Sequence, residues 1–125
     1  MNTGFLSVVL FHQKRYVVLD CLLLVVGMFI LSACQANNTM GDIYMDLGND
    51  QKALEYYEQA LSSYREGGDK AGEAKVLNNI AQINFNMGEQ EKALDHLGQA
   101  LSLYQSVGDK EGEAKVLNNI AQINF

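Results

Sequence analysis

Apolar positions from residue 53 onward recur at helical spacing, and the pattern repeats after forty residues. Apolar or small side chains at Ala53, Tyr57, Ala60, Leu61 and Tyr64 follow i, i+4, i+7, i+8 and i+11. This spacing is the stripe of an amphipathic helix. The same spacing returns over residues 93–104. A fixed period of this size predicts an array of stacked repeats, each one supersecondary unit.

A second kind of helix alternates with the first. The segment KVLNNIAQINF occurs identically at Lys75–Phe85 and at Lys115–Phe125. Its apolar side chains fall on two ridges, which predicts a helix that is packed from two sides. One ridge of the first helix of this kind consists of Val76, Ile80 and Ile83 and continues to Met87 beyond the segment, and the other consists of Leu77, Ala81 and Phe85.

Local signals give the ends of these helices. Gly48 and Gly88 stand where a left-handed residue closes a helix, and Asp69 and Asp109 are candidate N-caps. We predict an all-α fold, a short α-solenoid of two antiparallel helical hairpins and an unpaired C-terminal helix. The helices are expected near residues 37–47, 51–66, 71–87, 90–106 and 111–125.

The last predicted helix has no second helix to cover it. Val116, Ile120, Ile123 and Phe125 are therefore not expected to be buried together. An uncovered patch of this kind is typical of an interface or of an incomplete chain. Truncation of a longer array and end-to-end self-association are the two interpretations.

Residues 1–33 differ from the repeats, which occupy residues 34–125. Lys14 and Arg15 precede the apolar run at residues 21–31, and small residues follow, as in a secretory signal. The quartet ending at Cys34 resembles the lipobox of bacterial lipoproteins, which implies cleavage before Cys34 and its acylation. An uncleaved anchor is the alternative, since residues 16–33 are long enough to span a bilayer; a spurious extension is the third. Asp20 at the start of the apolar run weakens the signal.

Composition narrows the function. The net charge is −6 and no basic stripe is present, so nucleic acid is not an expected partner. Cys21 and Cys34 lie near or before the start of the repeats, and His12 and His96 have neither metal-ligand nor triad spacing. We expect no metal, no cofactor and no enzymatic activity. His96 is expected at the surface.

The stretch LNNIAQINFNMGEQEKALDHLGQALSLY resembles the tetratricopeptide repeat. Its signature positions are occupied by Leu77, Ile80, Ala81, Gly88, Ala93, Leu97 and Ala100. The forty-residue period is similar to that of kinesin light chain and of bacterial signalling arrays. Asn84 and Asn124 depart from the usual Tyr, and Arg65 and Gln105 stand where proline often ends the second helix.

The resemblance implies that polar first-helix positions line a concave groove that binds a peptide or protein. Primary amides donate and accept hydrogen bonds, so they suit an extended peptide backbone. The alternative is that these polar side chains form an ordinary solvent-exposed helix face that binds no ligand. The predicted function is an exported, membrane-tethered scaffold, and the alternative is a regulatory fragment of a larger cytoplasmic protein. The predicted peptide-binding residues are Lys75, Asn78, Asn79, Gln82, Asn86, Lys115, Asn118, Asn119 and Gln122.

Overall fold

The computed structural model describes the backbone of residues 3–124 and the side chains of residues 13–124. These residues form five α-helices, and no strand occurs among them. The all-α class and the short helical solenoid are confirmed. The expected end of the last helix at Phe125 lies outside the described residues. The helices are α1 Thr3–Asp46, α2 Asp50–Gly67, α3 Lys70–Asn86, α4 Gln90–Val107 and α5 Lys110–Asn124.

The chain divides into two compact units, Met1–Ile30 and Leu31–Phe125. The described part of the first unit is helical and carries large apolar side chains that are exposed, among them Leu23 and Phe29. The second unit contains the repeats. Helix α1 has no break near residue 33, where the sequence analysis divided the chain.

Short side-chain and backbone bonds fix the helix ends. The Asp69 carboxylate accepts from Gly72 N at 2.9 Å, and the Asp109 carboxylate accepts from Gly112 N at 3.0 Å. Both are the predicted N-caps, and each satisfies a backbone donor that the first helical turn leaves free. Gly68 ends α2 with φ of 69°, in the left-handed region where glycine carries no Cβ penalty.

Helix α3 lies at the centre of the second unit, because it packs against both α2 and α4, whereas α5 packs mainly against α4. The identical segments on α3 and α5 therefore differ in burial. Leu77 is 1% exposed and Leu117 is 49% exposed. The prediction that the last apolar ridge is not fully buried agrees with this arrangement: Val116 is buried, while Ile120 and Ile123 are half-buried.

Candidate functional site

The N-terminal halves of α3 and α5 border a cavity of about 580 Å³. Four of the predicted peptide-binding residues line it, namely the lysines Lys75 and Lys115 and the asparagines Asn78 and Asn79. The cavity is open to solvent and mixes polar with apolar lining. Its other lining residues are Ala71, Gly72, Tyr104, Asp109, Glu111 and Gly112.

Several predicted amides are hydrogen-bonded to neighbouring side chains. Asn119 Nδ2 on α5 donates to Asn78 Oδ1 on α3 at 2.7 Å. Asn79 Nδ2 on α3 donates to Asp42 Oδ1 on α1 at 3.5 Å, a long contact. These bonds link successive first helices. Each primary amide has two donors and an acceptor oxygen with two lone pairs, so each retains capacity for a ligand.

The remaining predicted residues lie elsewhere. Gln122 and Gln82 border a second, much smaller cavity of about 10 Å³ with Asn119, and Gln82 Nε2 also donates to Asn86 Oδ1 at 3.3 Å. Asn118 lies beside Leu117 on the uncovered side of α5. The nine predicted residues thus do not line one cavity. The helical period places them on one side of each helix, but the stacking of helices separates them.

The cavity between α3 and α5 is rich in hydrogen-bond donors. Lys115 Nζ lies 2.9 Å from Glu111 Oε1, and this carboxylate raises the pKa of the Lys115 ammonium. Lys75 is exposed and makes no ion pair with any described side chain. A ligand that enters between the two lysines therefore meets the unpaired ammonium of Lys75 and amide N–H groups, and it also meets the carboxylates of Asp109 and Glu111.

A polar contact that the sequence analysis missed lies next to this site. The Tyr57 hydroxyl on α2 donates to Asp42 Oδ1 at 2.5 Å, and Tyr57 is fully buried. Burial and the bond to Asp42 raise the pKa of the Tyr57 hydroxyl well above its ordinary value. When the repeats are aligned at an offset of forty residues, Tyr57 corresponds to Leu97 and Gly41 corresponds to Ala81. These two differences between the repeats were the sequence signal for the unusual packing around Tyr57.

The family model described as Tetratricopeptide repeat matches residues 32–106 and 73–125. The chain belongs to the tetratricopeptide repeat family. Tetratricopeptide repeats generally act as non-catalytic modules that mediate protein–protein interaction. No curated protein matches the chain significantly.

Solved structures share the tetratricopeptide fold. The crystal structure of BtubC (BKLC) from P. vanneervenii superposes with a TM-score of 0.66 and 26% sequence identity. The match covers 72% of this chain and 37% of that chain. The present chain thus spans well under half the length of this neighbour.

Residues outside the cavity have separate environments. Cys34, the predicted lipidation site, is 2% exposed and lies near Ser63 and Tyr64 of α2. It occupies the position that Ala74 has in the next tetratricopeptide unit. His96 is half-buried on α4, and its Nδ1 is buried without a hydrogen-bond partner among the described residues.

Two further features bear on function. Helix α1 is long and apolar enough to cross a membrane, a property that signal sequences share. Among the described residues, no group of three or more His, Cys, Asp or Glu side chains is arranged to hold a metal ion.

Proposed function

We propose that the chain is a non-catalytic scaffold that binds an extended segment of a partner protein between α3 and α5. The observation that carries the proposal is the open cavity in which Lys75, Lys115, Asn78 and Asn79 converge. The repeat family supports a protein ligand. A cavity of about 580 Å³ accommodates a few residues of an extended chain.

The side chains define how such a segment is held. The amides of Asn78 and Asn79 present donors and acceptors that suit backbone C=O and N–H groups, with little dependence on ligand side chains. Lys75 favours a ligand carboxylate at its own end of the cavity, whereas Asp109 and Glu111 disfavour one beside Lys115. Glu111 already pairs with Lys115, so the ligand competes for that lysine and binds Lys75 more freely.

We also propose that the N-terminal segment holds this module at a membrane. Large apolar side chains from Tyr16 to Leu31 are exposed, as they are in a helix that contacts lipid. The burial of Cys34 against α2 favours an uncleaved anchor over lipidation, because a diacylglyceryl group on its sulfur does not fit while α1 and α2 remain packed.

Site-specific photocrosslinking tests the binding site. The full-length chain, in lipid nanodiscs, carries a photoreactive amino acid in place of Lys75 or Asn78, and is selected against a phage-displayed library of short linear peptides. We expect crosslinks to selected peptides from both positions. The matched control places the same group at Glu58, which is exposed on α2. Equal crosslinking from Glu58 contradicts the proposed site.

Selected peptides then allow the amides to be tested. Replacing Asn78 and Asn79 by Ala is expected to weaken peptide binding about tenfold, since each lost hydrogen bond costs about 0.5–1.5 kcal/mol. Circular dichroism checks that helicity is retained. Unchanged affinity would show that these amides form an ordinary solvent-exposed surface and do not bind the peptide.

Mass spectrometry of the membrane-bound protein tests the anchor. A proteolytic peptide that spans Ala33 and Cys34 is expected if the segment is retained. A lipid-modified Cys34 at the amino terminus contradicts the uncleaved anchor without affecting the proposed binding site.

A further inference from the structure

The contact between α1 and α3 lacks a hydrogen bond that the contact between α3 and α5 makes. Asn119 Nδ2 on α5 donates to Asn78 Oδ1 on α3 at 2.7 Å. Forty residues earlier, the corresponding pair is Asn79 on α3 and Asn38 on α1. Asn38 is 7% exposed, yet its Oδ1 is buried without a hydrogen-bond partner among the described residues. Because buried polar atoms normally have a partner, this acceptor is available to a ligand.

The amide that corresponds to the missing donor bonds to a carboxylate instead. Asn79 Nδ2 donates to Asp42 Oδ1 at 3.5 Å. The positions that correspond to Asp42 hold Gln82 and Gln122, so this carboxylate occurs in the first repeat alone. Asp42 follows Asn38 by four residues, and side chains at this spacing are neighbours on one face of a helix. A neutral carbonyl oxygen and a carboxylate therefore lie one helical turn apart beside Asn79.

The donors within the protein leave the charge of Asp42 without a cationic partner. The Tyr57 hydroxyl donates to Asp42 Oδ1, the same oxygen that accepts from Asn79. No lysine or arginine among the described residues forms an ion pair with Asp42. Asp42 is half-buried, and the exposed Asp46 follows it by one helical turn. A partly buried carboxylate without a cationic partner favours an incoming positive charge that can donate hydrogen bonds.

We propose that Asn38, Asp42 and Asn79 form a binding site for a basic side chain, a lysine ammonium or an arginine guanidinium, of a bound protein segment. Each of these groups carries several N–H donors, so one group can bond to both the Asp42 carboxylate and the Asn38 carbonyl oxygen. Asn79 also lines the cavity between α3 and α5. A segment that continues past Asn79 from that cavity reaches Asp42. The inference rests on the proposed function only for the ligand being a protein segment.

Nuclear magnetic resonance of the full-length chain in lipid nanodiscs tests this site with small probes. The probes are short glycine peptides, blocked at both termini, with a central lysine, arginine or norleucine. Norleucine keeps the hydrocarbon chain of lysine and every backbone group but carries no charge. We expect the lysine and arginine peptides to shift the side-chain amide signals of Asn38 and Asn79 saturably, and the norleucine peptide to leave them unchanged. Tighter binding of one basic peptide identifies the preferred group as ammonium or guanidinium.

A matched pair of variants tests the carboxylate. Asp42→Asn keeps an oxygen that can accept from the Tyr57 hydroxyl but removes the charge, so it should weaken binding of the lysine peptide about tenfold or more. Asp95→Asn neutralises an exposed carboxylate on α4 and is the control, with no change expected. Circular dichroism verifies that both variants stay folded, and the norleucine comparison needs no variant.

The results that overturn the proposal are distinct from those that overturn the proposed function. Equal shifts with the norleucine peptide, no saturable shift with either basic peptide, or equal affinity in Asp42→Asn and Asp95→Asn overturns the basic site. Those results leave crosslinking from Lys75 and Asn78 unaffected. Conversely, crosslinking from Lys75 and Asn78 that does not exceed the Glu58 control overturns the proposed function, while the shifts at Asn38 still support the basic site.

Discussion

An aromatic pair present in the first hairpin is missing from the second, and restoring it should stabilise the protein. The rings of Tyr44 on α1 and Tyr56 on α2 stack with centroids 5.4 Å apart and planes inclined by 9°. Lys52 Nζ lies 5.2 Å from the Tyr44 ring centroid. Forty residues later the corresponding positions hold Asn84 and His96. We predict that the double variant Asn84→Tyr, His96→Tyr is more stable than the unmodified chain.

Asn84 and His96 lower the stability of the unmodified chain, and the double variant removes this effect. Asn84 is 4% exposed, and both Asn84 Oδ1 and His96 Nδ1 are buried without a partner among the described residues. An unsatisfied buried polar atom costs about 1–3 kcal/mol, and a stacked aromatic pair contributes about 0.5–1.5 kcal/mol beyond its buried area. The long bond from Asn84 Nδ2 to Glu89 Oε2, at 3.4 Å, is lost in exchange. We expect a net gain of about 2–4 kcal/mol.

Urea unfolding of the full-length chain in detergent, followed by circular dichroism, measures the change. The two single variants complete a double-mutant cycle, which isolates the coupling between the new rings. The reciprocal variant Tyr44→Asn, Tyr56→His is the matched control and should lose stability. A double variant no more stable than the unmodified chain, or additive single effects, would refute the claim that the hairpins are interchangeable at these positions.

Three further variants test individual contacts. Gly41→Ala should lower the free energy of unfolding by about 1–3 kcal/mol through overpacking against the Tyr57 ring, and adding Tyr57→Leu should restore most of it in urea titrations. The raised pKa of Tyr57 means that its neutral form is favoured by folding. The contribution of Tyr57 to the free energy of unfolding should thus be fully present below the ordinary tyrosine pKa of 10.0 and should be lost as the pH rises above it. The free energy of unfolding of Tyr57→Leu should fall less over the same pH range. Hydrogen bonds from Gln105 and Lys110 lower the pKa of Glu113, so its contribution should be lost as pH falls below the ordinary value of 4.5, and Glu113→Gln should show a shallower acid transition in thermal unfolding.

The fold was predictable because the same pattern of apolar positions occurs twice in the chain, forty residues apart. The stripe through Ala53, Tyr57 and Ala60 specifies which face is buried, and its recurrence at residues 93–104 excludes a chance match. Asp69 and Asp109 also follow a local rule, since an N-cap depends only on residues within one helical turn.

Contacts between helices were less predictable because they depend on how the hairpins stack. The bond between Asn119 and Asn78 joins residues 41 positions apart, and that between Asn79 and Asp42 joins residues 37 positions apart. Helical periodicity assigned these amides to one side of each helix. It did not show that neighbouring side chains would use part of their hydrogen-bonding capacity, and this reduces the number of groups that remain for a ligand.

Burial in this array is decided by neighbours as much as by sequence, as the two identical segments show. Leu77 and Leu117 have the same flanking residues over KVLNNIAQIN, yet one is buried and the other is about half exposed. Burying a leucine side chain fully contributes about 1.5–3 kcal/mol, so roughly half of that free energy is not realised at Leu117. The exposed side chains of Ala114 and Ala121 likewise leave a smaller amount of burial free energy unrealised. A segment bound in the cavity between α3 and α5 does not cover Leu117, which is not among the residues that line that cavity, so the free energy left at Leu117 does not contribute to its binding.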